Sequence, residues 1–114
     1  MTPIPFKTQY KITQIEIDKS IVCFVAISDT QEIAGKVSFK LREGNIVRYQ
    51  DAFVNENHRK KGIYKMLFDA RQMYVDVNYP NHKIEAYCRD TTLEMFKKNG
   101  FEVKRNLYLV EKWS

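Results

Sequence analysis

The sequence predicts an α+β (α/β) fold with a mixed central β-sheet, and three observations lead to this prediction. Residues 10–54 carry β-type hydrophobic patterns separated by short turns. Residues 58–77 change to a helical period, and a strand, a shorter helix and a last strand follow. The chain has 114 residues, 44% hydrophobic and 29% charged, which suits one domain spanning 1–114. The predicted order is β-β-β-β-α-β-α-β.

The first half is expected to form an antiparallel meander of strands at 10–17, 21–27, 33–41 and 46–54. The segment IVCFVAI at 21–27 is apolar throughout, which is typical of a strand buried on both faces. The segment at 33–41 alternates, and its lysines and Ser38 are assigned to the opposite face from its apolar positions. The apolar face is predicted to comprise Ile33, Gly35, Val37, Phe39 and Leu41.

A long helix is predicted next, because the apolar residues from His58 to Val77 recur at helical spacing. It is expected to begin near Arg59, with Asn57 as its N-cap, and to end before Pro80. The predicted buried face is Ile63, Met66, Leu67, Ala70, Met73, Tyr74 and Val77. The strand at 83–88 then completes a β-α-β unit, so it is predicted to lie parallel to the strand at 46–54.

The second helix is predicted to begin with a capping box formed by Thr91 and Glu94. The alternating segment at 106–113 reads as an edge strand. Because an edge strand has unpaired backbone groups, this segment is a candidate for pairing across a homodimer.

The C-terminal end of the second helix carries a glycine signal. Asn99 and Gly100 form a C-cap pattern, and Phe101 follows them. In such caps the residue after the glycine contacts the last helical turn. We therefore expect Phe101 to pack on Phe96 or Met95.

Composition narrows the classes of function. No apolar run approaches the roughly 18 residues of a membrane span, and the N-terminus lacks the apolar centre of a signal peptide. Cys23 and Cys88 are interpreted as reduced thiols, and together with His58 and His82 they lack metal-ligand spacing. These observations favour a cytoplasmic protein without a metal site or membrane partner. The net charge of +5 weakly favours an acidic ligand.

The segment VNENHRKKGIYKML at 54–67 has the character of an anion site. A strand ends, a turn follows and a helix begins, and a helix N-terminus presents unpaired backbone N–H groups and positive partial charge. Gly62 has no Cβ, so a phosphate can approach its backbone closely. Arg59, Lys60, Lys61 and Lys65 add positive side chains around it.

Two phosphate motifs are absent from this segment. A P-loop requires a second glycine and a Ser or Thr after a lysine, and a dinucleotide fingerprint requires three glycines. The segment instead fits Arg-x-x-Gly-x-small in RKKGIY (59–64), with Val54 five residues before the arginine. Together with LEMFKKNGFE (93–102), it resembles the GNAT superfamily of acyl-CoA N-acyltransferases. The resemblance covers residues 46–113 well and residues 10–45 only in their β-rich character.

The resemblance implies a GNAT-like fold whose β-α-β unit binds acetyl-CoA. Backbone amides from Lys61 to Lys65 would hold the pyrophosphate, and the backbone of Phe53 and Val54 would pair with the pantetheine arm. The thioester would lie where strands 46–54 and 83–88 diverge, with a backbone N–H near Val54 stabilising the oxyanion. The implied cofactor-binding residues are Phe53, Val54, Arg59, Lys60, Lys61, Gly62, Ile63, Tyr64, Lys65 and Phe96.

Three features depart from the family pattern. Tyr64 occupies a position that is usually Gly or Ala. Phe96 matches a position that is commonly a tyrosine, whose hydroxyl would protonate the departing thiolate; Tyr87, Cys88 or a water molecule are the alternative donors. The connection at 18–20 is too short for the helices that family members place between their first two strands.

Three functions remain as alternatives. The leading prediction is an N-acetyltransferase that transfers an acetyl group from acetyl-CoA to an unidentified primary amine, with Asp51 as the candidate base and Glu56 as the second choice. The first alternative is a CoA-binding regulatory module with weak or lost catalysis. A basic nucleic-acid-binding domain is the third, and it is disfavoured because the positive charges cluster in one turn.

Overall fold

The computed structural model describes residues 9–104 and 109–113. Within them, seven strands form one sheet in the order β1-β2-β3-β4-β5-β7-β6, with two helices. The elements are β1 (Tyr10–Asp18), β2 (Ile21–Ser28), β3 (Ile33–Arg42), β4 (Ile46–Val54), α1 (Ile63–Asn78), β5 (Lys83–Tyr87), α2 (Asp90–Lys98), β6 (Glu102–Val103) and β7 (Leu109–Trp113).

The predicted fold class is confirmed. β1 to β4 are consecutive antiparallel neighbours, and β4 and β5 are parallel neighbours joined through α1. The core lies between α1 and the sheet face that carries Phe24, Phe39, Val47 and Ile84. Because only residues 19–20 join β1 to β2, no helix separates these strands, as the sequence predicted.

The start of α1 differs from the prediction. A short 3-10 turn at Glu56–His58 contains Asn57, which is therefore not the helix N-cap. The α-helix begins four residues after the predicted Arg59, because Lys60 and Gly62 have φ values of 63° and 77°. Left-handed residues cannot continue a right-handed helix, so α1 starts at Ile63 with Gly62 as its N-cap.

The buried face of α1 is also rotated relative to the prediction. Met66, Met73 and Val77 were expected to be buried, but they are 37%, 69% and 73% exposed. The row that contacts the sheet has a spacing of four residues, and Phe68 and Gln72 lie beside it. The buried residues are Ile63, Leu67, Phe68, Arg71, Gln72 and Val75.

A bulge near the start of β3 corrects the predicted face of Ile33. Ala26 pairs with Gly35 but Ile27 pairs with Ile33, so β3 has one extra residue at Ala34. The extra residue moves Ile33 to the face opposite Gly35, where it is 55% exposed.

The predicted capping box of α2 does not form. The helix begins at Asp90 with Arg89 as its N-cap, and no side chain caps it. Thr91 is therefore already inside the first turn, and a residue with helical backbone angles cannot act as the N-cap for Glu94.

The C-terminal end of α2 follows the prediction. The Phe101 N–H donates to the Phe96 carbonyl at 3.1 Å and the Gly100 N–H donates to the Lys97 carbonyl at 3.1 Å, which is a Schellman motif. Gly100 has a φ of 87°. The rings of Phe96 and Phe101 meet edge to face with centroids 5.0 Å apart.

The prediction that the last segment is an edge strand is wrong for Leu109–Trp113, while residues 106–108 lie outside the described part of the chain. β7 pairs with β5 on one side and with β6 on the other. The Schellman turn reverses the chain after α2, so Glu102 and Val103 form the outermost strand. A dimer formed through an unpaired β7 is therefore not supported.

Candidate functional site

The site begins where β4 and β5 separate. Their parallel pairing runs from Ile46 opposite Lys83 to Tyr49 opposite Ala86, whereas β4 continues to Val54. Beyond Tyr49, β4 has an extra residue relative to β3, because Ser38 pairs with Gln50 and Lys36 pairs with Phe53. Such a bulge bends the strand. A cleft of about 670 Å³ opens between β4 and β5 and is closed at its sides by α1 and α2.

The cleft brings together most of the residues implied by the resemblance. Lys61 is the one predicted cofactor-binding residue that does not line it. The others do: Phe53, Val54, Arg59, Lys60, Gly62, Ile63, Tyr64, Lys65 and Phe96.

The mouth of the cleft is the N-terminal end of α1. The helix has no side-chain cap and no acidic residue in its first turn. Its first α-helical hydrogen bond runs from the Met66 N–H to the Gly62 carbonyl at 3.1 Å. The N–H groups of residues 63–65 therefore have no acceptor within the helix. A Cβ added to Gly62 would meet no atom within 4 Å, which leaves open space in front of these groups. This geometry suits an anion.

Charge at the cleft is predominantly positive. Arg59 is exposed, and its Nε donates to the Val54 carbonyl at 3.3 Å, which holds the arginine against the end of β4. The Lys65 ammonium forms an ion pair with Asp69 at 2.6 Å, so it contributes less free charge than its position suggests. Among the lining residues whose side chains the structure describes, none is a carboxylate.

The two candidate bases have different outcomes. The backbone of Asp51 lies in β4 at the bulge, but its side chain lies outside what the structure describes, so its role stays a prediction. Glu56 is exposed in the 3-10 turn and does not line the cleft.

Arg71 lies at the inner end of the cleft and is 1% exposed. Its guanidinium carbon lies 3.8 Å from the centroid of the Tyr49 ring, and its Nη1 donates to the Ser38 carbonyl at 3.0 Å. Its Nε is buried without a hydrogen-bond partner among the described residues. Burial lowers the pKa of Arg71, while the neighbouring hydroxyls of Tyr49 and Tyr64 oppose that shift. The side chain nevertheless stays charged, because a guanidinium is too basic to lose its proton in a protein.

Tyr64 occupies the wall of the cleft beside Arg71. Its ring stacks on Phe68 with centroids 6.2 Å apart, and the Arg71 guanidinium lies 5.6 Å from the same Phe68 ring. Burial raises the pKa of the Tyr64 hydroxyl, and the positive charge of Arg71 opposes this. Burial and Asp90 raise the pKa of the Cys88 thiol nearby, so the thiol stays protonated at neutral pH.

Phe96 is 3% exposed and reaches the cleft from α2. Its ring meets the rings of Phe68 and Phe101 edge to face, with centroids 5.1 and 5.0 Å away. The predicted contact with Phe101 is therefore present, and Phe96 contributes an apolar surface at this point of the cleft.

The sequence patterns did not identify Arg71 or the role of His58. Arg71 follows Ile63 and Leu67 at the spacing of the buried row, and this spacing was the available signal. His58 lines the cleft, is 4% exposed and lies 2.9 Å from the Tyr10 hydroxyl through Nδ1, which ties the 3-10 turn to β1. No local sequence pattern marks this contact.

Within residues 9–104 and 109–113, no group of three or more Cys, His, Asp or Glu side chains is arranged to hold a metal ion. Neither helix has the length and apolarity needed to cross a membrane.

Comparison with solved structures supports the fold assignment. A candidate acetyltransferase from an Exiguobacterium species is 16% identical with a TM-score of 0.68, and the alignment covers 83% of this chain and 63% of that chain. A GNAT-family acetyltransferase from Staphylococcus aureus is 21% identical with a TM-score of 0.65, covering 75% and 55%. A candidate acyl-CoA N-acyltransferase from Klebsiella pneumoniae is 13% identical with a TM-score of 0.74, covering 91% and 97%.

These identities establish a shared fold, and the chain spans less than two thirds of the first two relatives. No curated protein matches the chain. The model of the acetyltransferase (GNAT) domain family matches residues 6–113. Because this match spans nearly the whole sequence, the chain belongs to the GNAT acetyltransferase family.

Proposed function

We propose that this protein transfers an acetyl group from acetyl-CoA to a primary amine, by direct attack of the amine on the thioester. The observation that carries the proposal is the cleft between the diverging ends of β4 and β5, which leads to the uncapped N-terminal end of α1. The N-terminal end of α1 thus offers an anion site, and the end of β4 offers a strand edge that does not pair with β5.

The residues at the cleft fit CoA. The pyrophosphate is assigned to the backbone N–H groups at the start of α1, with Arg59 and Lys60 beside them, because this end carries positive charge without a competing carboxylate. Gly62 leaves the approach open. The pantetheine arm is assigned to the part of β4 at Phe53 and Val54, where β4 has passed the end of its pairing with β5.

The chemistry needs an activated acyl group and two contributions from the chain. Acetyl-CoA supplies an activated acyl group. The backbone N–H of Val54 is assigned to the oxyanion that develops at the thioester carbonyl, and Asp51 is assigned to remove the amine proton, directly or through water. No lining cysteine is required as an acyl carrier when the amine attacks directly.

The test is a pair of measurements on the full chain. Calorimetric titration with CoA measures binding, and a free-thiol assay measures CoA release from acetyl-CoA in the presence of a panel of amines that includes polyamines, peptides with free N-termini and lysine-containing peptides. We expect CoA binding, amine-dependent thiol release and a mass increase of the amine by one acetyl group. Absence of CoA binding would refute it.

A CoA-binding regulatory module is the second candidate, because Phe96 places a ring without an ionisable hydroxyl at the cleft. The same measurements separate the two functions. Tight CoA binding with no thiol release across the amine panel would favour the regulatory module over the enzyme.

A further inference from the structure

A buried arginine with no acidic partner among the side chains that the structure describes is the most unusual feature of the cleft. Arg71 is 1% exposed, and the ion pairs of the described residues give it no carboxylate. Removing a charge from water without pairing it is unfavourable. The ring of Tyr49 and the Ser38 carbonyl offset part of this cost, but no described residue accepts a hydrogen bond from Nε.

The hydroxyls of Tyr49 and Tyr64 both act on this arginine, but the Tyr49 hydroxyl already donates to Gln72 Oε1 at 2.8 Å. Tyr64 of α1 lines the cleft together with Thr92 of α2 and Cys88 after β5, and the Arg71 charge acts to lower the pKa of its hydroxyl. Both Tyr64 and Arg71 line the cleft, and both lie against the ring of Phe68. A tyrosine beside a fixed positive charge can release a proton and hold the resulting negative charge.

Building on the proposed function, we infer that Tyr64 is the proton donor to the leaving thiolate and that Arg71 is the residue that positions and stabilises it. The amine nitrogen forms a bond to the thioester carbon, the C–S bond breaks, and the sulfur keeps the electron pair. The Tyr64 O–H proton passes to that sulfur, which gives free CoA thiol and a tyrosinate beside the Arg71 guanidinium. The proton lost by the amine returns the tyrosinate to tyrosine.

The other ionisable groups at the cleft are less suited to this step. Tyr87 is 52% exposed, and its ring lies under Arg48, 5.1 Å from the guanidinium carbon, on the sheet face opposite α1. Burial and the charge of Asp90 raise the pKa of the Cys88 thiol, so loss of its proton is disfavoured. Phe96 has no proton to donate.

The experiment measures the pKa of the thiol of bound CoA, which does not require turnover. Thiolate ultraviolet absorbance is followed against pH for the full chain saturated with CoA, and an identical titration with desulfo-CoA is subtracted to remove tyrosine ionisation. In the wild type the Tyr64 hydroxyl donates to the thiolate, so Tyr64→Phe should raise the pKa of the bound thiol by about one to two units. Tyr74→Phe is the matched control, because Tyr74 is on the same helix and does not line the cleft.

Arg71 is tested with a conservative pair. Arg71→Met removes the charge and should raise the pKa of the bound thiol as Tyr64→Phe does, whereas Arg71→Lys should restore part of the wild-type value. A merely structural role would change the melting temperature of Arg71→Met without moving the thiol pKa. An unchanged thiol pKa in Tyr64→Phe, or a wild type that does not bind CoA, would overturn the inference.

Turnover then separates this inference from the proposed function. In an active enzyme, Tyr64→Phe should lower kcat by about 10²-fold or more and leave the KM for acetyl-CoA within about twofold. A shifted thiol pKa without turnover on any amine supports the inference and refutes the acetyltransferase function. Equal kcat and equal thiol pKa in wild type and Tyr64→Phe support the function and refute the inference.

Discussion

Replacing Gly62 tests the anion site at the start of α1 most directly. Gly62 has φ 77° and ψ 15°, and a Cβ there would meet no atom within 4 Å. A side chain therefore meets no steric obstacle and adds only backbone strain, which costs about 1–2 kcal/mol for an L-residue in this conformation. Gly62→Gln and Gly62→Glu carry the same strain and nearly the same volume, so they differ only in one negative charge.

The charge effect can be estimated from the position of Gly62 at the helix N-terminus. A carboxylate about 4–8 Å from one phosphate charge, at an effective dielectric constant of about 20, is repelled by about 2–4 kcal/mol. It also occupies the positive end of the helix that the phosphate would otherwise use. Gly62→Glu should therefore bind CoA about 30- to 800-fold more weakly than Gly62→Gln.

The measurement is calorimetric titration of CoA into each variant at low and high salt, with thermal melting to confirm equal folding. The difference between the two variants should shrink at high salt, because exposed charges are screened. Equal dissociation constants for Gly62→Gln and Gly62→Glu at low salt would refute the assignment of the pyrophosphate to this helix end.

Three further changes give separate tests. Phe96→Tyr should leave turnover unchanged or raise it, measured by thiol release, since its ring borders the cleft; a large fall would show that no hydroxyl is tolerated there. Gly35→Ala should lower the free energy of unfolding by about 1–3 kcal/mol, measured with denaturant, because the new Cβ would lie 2.7 Å from the Phe53 carbonyl oxygen; wild-type stability would contradict this contact. Hydrogen bonds from the backbone and side chain of Ser20 lower the pKa of Asp18, so they add stability above the unfolded pKa that is lost as pH falls through the folded one. Ser20→Ala should therefore show a smaller drop in melting temperature on acidification, and an equal drop would contradict that linkage.

The strands were predictable because their signal is local. Alternation and continuous apolar runs located all ten ends of β1 to β5 to within one residue. The order of β6 and β7 could not be predicted from local patterns, because the two-residue strand β6 forms only when the chain turns back after Gly100. Two residues carry no hydrophobic period, so the edge position was wrongly given to the last segment.

The helix ends depended on backbone angles that residue type specifies weakly. Gly62 signals a left-handed position, but Lys60 has a φ of 63° without any residue preference for it. The orientation of α1 was mispredicted for a different reason. Counting only apolar residues placed exposed Met73 in the core and omitted Arg71, whereas position in the buried row, rather than polarity, decides which side chain meets the sheet.

The position of the cleft was predicted from the family resemblance more than from the residue patterns. The motif located the helix N-terminus and the end of β4, and the structure brings these segments together. The bulge that bends β4 depends on its register against β3, which the sequence does not display. The side chain of Asp51 lies outside what the structure describes, so the base stays a prediction.

The energetics of Arg71 connect the two parts of the cleft. A core selected for stability alone would favour Met or Leu at this position, since replacing buried charge with apolar groups of similar volume is often neutral or stabilising. The N-terminal end of α1 carries no such cost, because every α-helix begins with N–H groups that have no acceptor within the helix. A buried cation differs, since it is desolvated at all times and so is already organised to act when negative charge develops beside it. Local rules tend to fail at functional sites. The inferred role of Arg71 beside the Tyr64 hydroxyl gives its desolvated charge such a function.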